Sequence, residues 1–240
     1  MKFLFIMILA AIPVFAAADN KGLLDAATNG DKIFIENYKG NINSPLDDEG
    51  WTALMEAAAY GRNEAVKALI GMKADVNAVN KSGYTALTIA ALRGQSGSER
   101  LLLAAKADVN AANKDGFTAL MGAAEEGQAD AINVLLAAKA PVNASDKNGQ
   151  TALMWAIYMN FIEHTGAVAA LIGAGADVNA RDKEGNTALM YASQRGQADV
   201  VKALLAAGAR VNSLNTGGNT ALSFAKDPTV VNILKLAGAR

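Results

Sequence analysis

Few residues in this 240-residue chain could do acid–base, nucleophilic or metal chemistry. It has no cysteine and a single histidine, His164. Thiolate nucleophiles, thiolate zinc sites and disulfides are therefore excluded. A histidine-dependent triad or a histidine metal pair has no second member to draw on. The glycine pairs in "NTGGN" and "GAGA" lie outside any strand-to-helix phosphate loop, and no G-x-x-x-x-G-K-[ST] string occurs. Asp75, Asp108 and Asp177 recur in one local context, which suits side chains that brace a repeated turn better than metal ligands. No catalytic residue, cofactor or metal is expected, and the chain is read as non-enzymatic. Two polar residues need their own account. His164 reads as a solvated connector, the alternative being a pH-sensing pair with Glu163. Glu99, in "GQSGSERLLL", is expected to form a capping box with Ser96.

The bulk properties narrow the class further. With 52% hydrophobic residues the chain can bury a sizeable interior. Its net charge of −1 offers no concentrated basic face for nucleic acid or anionic lipid. The first residues, "MKFLFIMILAAIPVFAAADN", follow a different rule: one basic residue, Lys2, an apolar run from Phe3 to Phe15, then Ala16-Ala17-Ala18. That run is shorter than the roughly 20 residues a spanning helix needs, and it ends in an A-x-A site. Residues 1–18 are read as a signal peptide cleaved after Ala18, with a membrane anchor or buried first helix as the alternative. The mature chain is expected to be periplasmic or secreted, without membrane insertion.

The elements that would position any functional residue are repeated. Thr-Ala-Leu begins at Thr52, Thr85, Thr118, Thr151, Thr187 and Thr220, at intervals of 33, 33, 33, 36 and 33. Asn77, Asn110, Asn143, Asn179 and Asn212 each follow a valine and stand eight residues before the next threonine. Two markers locked to one period indicate tandem units. Within a unit, Thr52 can cap a first helix whose inner face holds Leu54, Ala57 and Ala58. Gly61 ends it, and a second helix places Val66, Leu69 and Ile70 inward. Helices of two turns do not persist alone in water, so neighbouring units must hold one another up.

These residues resemble the ankyrin repeat, and "DVNARDKEGNTALMYASQRGQADVVKALLAAGARVN" (Asp177 to Asn212) follows its pattern almost throughout. The resemblance extends over 19–240 and implies an all-α solenoid of helix-turn-helix units with β-hairpin fingers. Its parts would be an N-terminal cap near 20–47, five full repeats over about 48–215 and a C-terminal cap from about 216 to 240. Alanine replaces the family's proline in every Thr-Ala-Leu copy. Met55, Thr88, Met121, Met154, Met190 and Ser223 replace its histidine, so the threonine is expected to cap backbone alone. Lys73, Lys106 and Lys139 stand at the helix end where Gly175 and Gly208 stand later, which predicts lysines in a left-handed conformation.

The resemblance also implies where a partner would touch: the fingers and the inner surface of the first helices. The residue before each threonine is Trp51, Tyr84, Phe117, Gln150, Asn186 and Asn219; four after it stand Glu56, Ile89, Gly122, Trp155, Tyr191 and Phe224. Aromatic character thus moves from fingers to helices, with Tyr60, Tyr158 and Met159 close by. Trp51, Tyr84, Phe117, Trp155, Tyr158, Met159, Tyr191 and Phe224 are the candidate protein-binding residues, since rigid rings supply contact area at low entropic cost. The bland alternative is that the rings pack on one another. Trp51, Tyr84 and Phe117 are expected to be exposed at fingertips, so that serine in all three would weaken a complex and spare the fold. The function expected is a monomeric scaffold binding a protein of unknown identity. The alternatives are an inhibitor or immunity protein blocking a toxin or enzyme, and a secreted effector binding a host protein.

Overall fold

The computed structural model describes residues 18–158 and 164–240. Residues 1–17 of the expected signal peptide, and Met159, Phe161, Ile162 and Glu163 of the irregular unit, lie outside the described residues.

The helices come in consecutive pairs: α1 (Ala18–Asn29) with α2 (Lys32–Asn37), α3 (Ala53–Ala59) with α4 (Asn63–Gly71), and α5 (Ala86–Leu92) with α6 (Ser96–Ala104). Next come α7 (Ala119–Glu125) with α8 (Ala129–Ala137), and α9 (Ala152–Tyr158) with α10 (Thr165–Gly173). The last pairs are α11 (Ala188–Arg195) with α12 (Ala198–Ala206), and α13 (Ala221–Phe224) with α14 (Pro228–Leu236). First helices stack on first helices from α1 to α13, and second helices stack on second helices from α2 to α14. The result is a two-layer, all-α solenoid. Among the described residues there is no strand, only the isolated antiparallel bridges Ala112–Thr118 and Ser145–Thr151. The fingers between units are tight turns.

Each unit starts as its threonine dictates. Thr52, Thr85, Thr118, Thr187 and Thr220 sit in extended backbone and accept a hydrogen bond from the N–H three residues on, at 3.2–3.4 Å. Two caps differ from the backbone-only expectation. Thr85 Oγ1 lies 3.1 Å from Thr88 Oγ1, and Thr220 exchanges bonds with Ser223 in a reciprocal box. Where the same position holds Met55, Met121, Met154 or Met190, the side chain is buried as core.

The first helix ends at a glycine with positive φ: Gly61, Gly94, Gly127 and Gly196 lie between 63° and 72°. At these positions the next unit leans in. A Cβ on Gly61 would overlap the Gln95 side chain, and one on Gly127 would overlap the His164 ring. His164 therefore caps α10 as Gln95 caps α6 and Gln128 caps α8, and is half-buried over the preceding unit. This corrects the solvated connector.

The second helix ends on Lys73, Lys106 and Lys139 at φ 67°, 71° and 70°, and on Gly175 and Gly208 at 86° and 90°. A Cβ on Gly175 or Gly208 would meet nothing within 4 Å, so a side chain there is only a backbone strain. That strain is on the order of 1 kcal/mol. Lys106→Gly is expected to raise the melting temperature by about 2 °C, read by circular dichroism; an unchanged or lower value would contradict this assignment.

The asparagine that repeats with the threonine ties units together. Asn43, Asn77, Asn143, Asn179 and Asn212 each accept, through Oδ1, the backbone N–H at the corresponding turn of the next unit, at 2.8–3.0 Å. Within the turn, Asp75, Asp108 and Asp177 accept the N–H two residues on, which is the bracing role expected of them. Pro141 stands where Asp108 and Asp177 stand and has no N–H to donate, so Asn110 cannot make the bond its counterparts make.

Candidate functional site

The fingers are held by a residue five positions before each threonine. Asp47, Asn80, Asn113, Asp146, Asp182 and Asn215 each accept, through Oδ1, the N–H of the residue four further on, at 2.7–2.9 Å. The intervening glycine, φ 75° to 81° in all six fingers, turns the chain. Fingers also bond to each other: Lys147 N–H to Asp115 O, Lys183 N–H to Asn148 O, and Thr216 N–H to Glu184 O, at 2.7–2.9 Å. The residue before each threonine therefore lies on the returning limb, past the tip and over the first helix.

This placement decides the fate of the aromatic residues. Phe117 is 7% exposed, contrary to the fingertip expectation, while Trp51 and Tyr84 are half-buried. The Phe117 ring meets Tyr84 edge-on at 6.0 Å and Trp155 at 5.2 Å. It lies over Gly122, where a Cβ would come within 3.4 Å of the ring and 2.9 Å of Leu92. Ring and helix position thus share one volume. The aromatic limbs Trp51, Tyr84 and Phe117 accompany the non-aromatic Glu56, Ile89 and Gly122, whereas amide limbs Gln150, Asn186 and Asn219 accompany large rings, Trp155, Tyr191 and Phe224. Further along, Tyr158 and Tyr191 meet at 4.9 Å, and the Arg195 guanidinium lies 5.3 Å from the Tyr158 ring centre. Tyr191 is 8% exposed, and Trp155, Tyr158 and Phe224 are half-buried. Met159 lies outside the described residues. The rings do stack on one another, yet five of them keep an accessible edge along one wall.

Where limbs change from ring to amide, a hollow of about 650 Å³ opens between fingers and first helices. Its floor includes Tyr158, Tyr191 and Phe224, and its sides Gln150, Asn186 and Asn215. The sides are fixed. The Tyr191 hydroxyl donates to Asp182 Oδ2, and burial together with that carboxylate pushes the phenol's pKa up. Asn215 Nδ2 donates to Asn186 Oδ1 at 2.8 Å, and Asn186 Nδ2 to Glu184 Oε2 at 3.2 Å. On α7, midway along the stack, Glu125 is pushed up to about 7, first by burial and then by Glu126. The Tyr84 phenol is raised by burial and then by Glu125 and Asp115. Trp155 Nε1 is buried without a hydrogen-bond partner. Among the described residues no group of histidine, aspartate and glutamate side chains is arranged to hold a metal ion. No helix among them is long and apolar enough to cross a membrane. What this wall offers is ring edges, amides and a few carboxylates on a rigid frame, the chemistry of docking another macromolecule.

Two layers of short paired helices, each unit leaning on the next and stapled by asparagine, define a tandem-repeat solenoid with a lined inner wall. A family described as "Ankyrin repeats (3 copies)" matches residues 23–113, 99–182 and 159–239. Among solved structures, the human ASB11 ankyrin repeat domain superimposes with a TM-score of 0.81 at 24% identity, over 91% of this chain and 98% of that one. At that identity the likeness concerns the fold. No curated protein matches the chain. The chain belongs to the ankyrin repeat family. Such repeats are, in general, protein–protein interaction modules.

Two features of the site lie outside the expectations drawn from the sequence. The finger-closing Asp or Asn was legible, since it recurs five residues before every threonine. The Tyr191–Asp182–Asn186–Asn215 network was not, because no other unit combines a tyrosine four after the threonine with an aspartate five before it, and its Asn215 comes from the next unit.

Proposed function

We propose that this chain is a non-enzymatic scaffold, exported to the periplasm or secreted, that binds a protein partner along its inner wall. The observation that carries the reading is the wall itself. Half-buried rings of Trp51, Tyr84, Trp155, Tyr158 and Phe224 are set in one row with the amide-lined hollow, on a frame cross-linked by finger-to-finger bonds. Rings already held in place lose little rotamer freedom on binding, which favours them as anchors. The apolar N-terminal run supports export. Phe117 and Tyr191 act in this reading by positioning their neighbours, since each is nearly enclosed.

The test is affinity purification of the processed chain from the envelope and secreted fractions of its own cells, followed by mass spectrometry. One protein should be recovered with the wild type and lost with a Tyr158→Ala, Phe224→Ala double variant that melts normally. Equal recovery with that variant would reject the inner wall as the docking surface.

A further inference from the structure

The outer layer of the stack contains one joint unlike the others. In α4, α8, α10 and α12 the residues buried against neighbouring units are Ala65-Val66, Ala131-Ile132, Ala167-Val168 and Val200-Val201. In α6 the same two positions hold Ser98 and Glu99, and both are 0% exposed. The expected capping box is absent, because Gln95 is the cap and Ser96 is already inside the helix. Ser98 Oγ donates to Asn63 Oδ1 at 3.0 Å, so the seam between α4 and α6 is polar. Both Glu99 carboxyl oxygens are buried with no hydrogen-bond partner.

We propose that α6 is an acid-stabilised joint, the outer helix that releases first from α4 and α8 as pH rises from the acid range to neutrality, because it buries an unpartnered carboxylic acid where its counterparts bury valine or isoleucine. A neutral carboxyl buried without a partner leaves one donor unsatisfied; a carboxylate there leaves a bare charge, which is far less tolerable. Among the described residues, Arg100 is the cation whose charge acts on Glu99. On α4, Glu64 and Lys67 pair with each other at the surface. On α8 the charged residue is Asp130, which is exposed, and Arg93 at the end of α5 acts on Glu56. On α6 itself Arg100 favours the charged form, but burial outweighs it and holds the Glu99 pKa up at about 7.

The direction follows from comparing closed and open forms. Below the ordinary carboxylate range both are protonated and the closed joint has its full stability. Between that range and about 7 the open form ionises while the closed form stays neutral, so closure weakens. Above about 7 the penalty is complete. Glu125, also raised to about 7, sits on α7 and titrates there whether or not Glu99 is present.

Hydrogen exchange with mass spectrometry on the processed chain at pH 5.5 and 8.5, corrected for intrinsic exchange rates, reads this directly. Protection of α6 amides in the wild type should fall roughly 30-fold between the two pH values, the ratio for a carboxyl titrating at 4.5 when open and about 7 when closed. Glu99→Gln, which keeps the shape, and Glu99→Val, which restores the common residue, should each remove that fall. Three results would overturn the proposal: unchanged α6 protection in the wild type, a fall that persists in Glu99→Gln, or a fall of equal size in α12 and α14.

Discussion

Phe117→Ser is expected to destabilise the fold by about 3 kcal/mol and to lower the melting temperature by about 8 °C. The ring is 7% exposed, meets Tyr84 and Trp155 edge-on, and packs over Gly122, where an added Cβ would touch the ring at 3.4 Å. Serine removes the ring contacts and leaves a gap over Gly122 that the rigid first-helix layer cannot close. Trp51→Ser and Tyr84→Ser, at half-buried rings, should each have under half that effect. Thermal melts of the three single variants decide the matter. Equal shifts would mean that the limbs swing freely and that the ring ladder is not part of the core.

A second large loss is expected from Gly149→Ala, about 2–3 kcal/mol. The residue has φ 79°, and an added Cβ would come to 3.1 Å from both Asp182 Cα and Lys183 N, which are backbone of the next finger and cannot turn aside. The neighbouring Lys183 N–H to Asn148 O bond, 2.8 Å, would be displaced with it. Gly208→Ala supplies the control, with a comparable positive φ of 90° and nothing within 4 Å of the new carbon, for which about 1 kcal/mol is expected. Urea titration of the two variants separates strain at the residue from contact between fingers. Equal losses would show that the fingers do not brace one another.

The unit plan was legible because it is written in local chemistry that repeats. A threonine cap, a glycine with positive φ and an asparagine at the turn act within a few residues of themselves, and copies at a step of 33, lengthened once to 36, leave little freedom. The three lysines at positive φ could be read by setting them against Gly175 and Gly208, and the structure places them there. What misled was always a relation between units. The residue before each threonine has the sequence position of a fingertip, but the closing Asp or Asn folds it back over the helix, where Phe117 packs over Gly122. Ser96 and Glu99 have capping-box spacing, yet the helix begins one residue earlier in register than that box requires. The decisive sign was available, since Val66, Ile132 and Val201 occupy the same column and are buried. His164 follows the same lesson: its column holds Gln95 and Gln128, residues that lie on the preceding glycine.

The most direct measurement of the central claim, that the inner wall receives a protein, is site-specific photo-crosslinking in the exported fraction. A photoreactive phenylalanine analogue at Tyr158 or Phe224, on the inner wall, should give one discrete higher-mass adduct. The same analogue at Lys67, on the outer helix α4, should give none. Adducts from Lys67 but not from Tyr158 or Phe224 would contradict the account and assign docking to the opposite face.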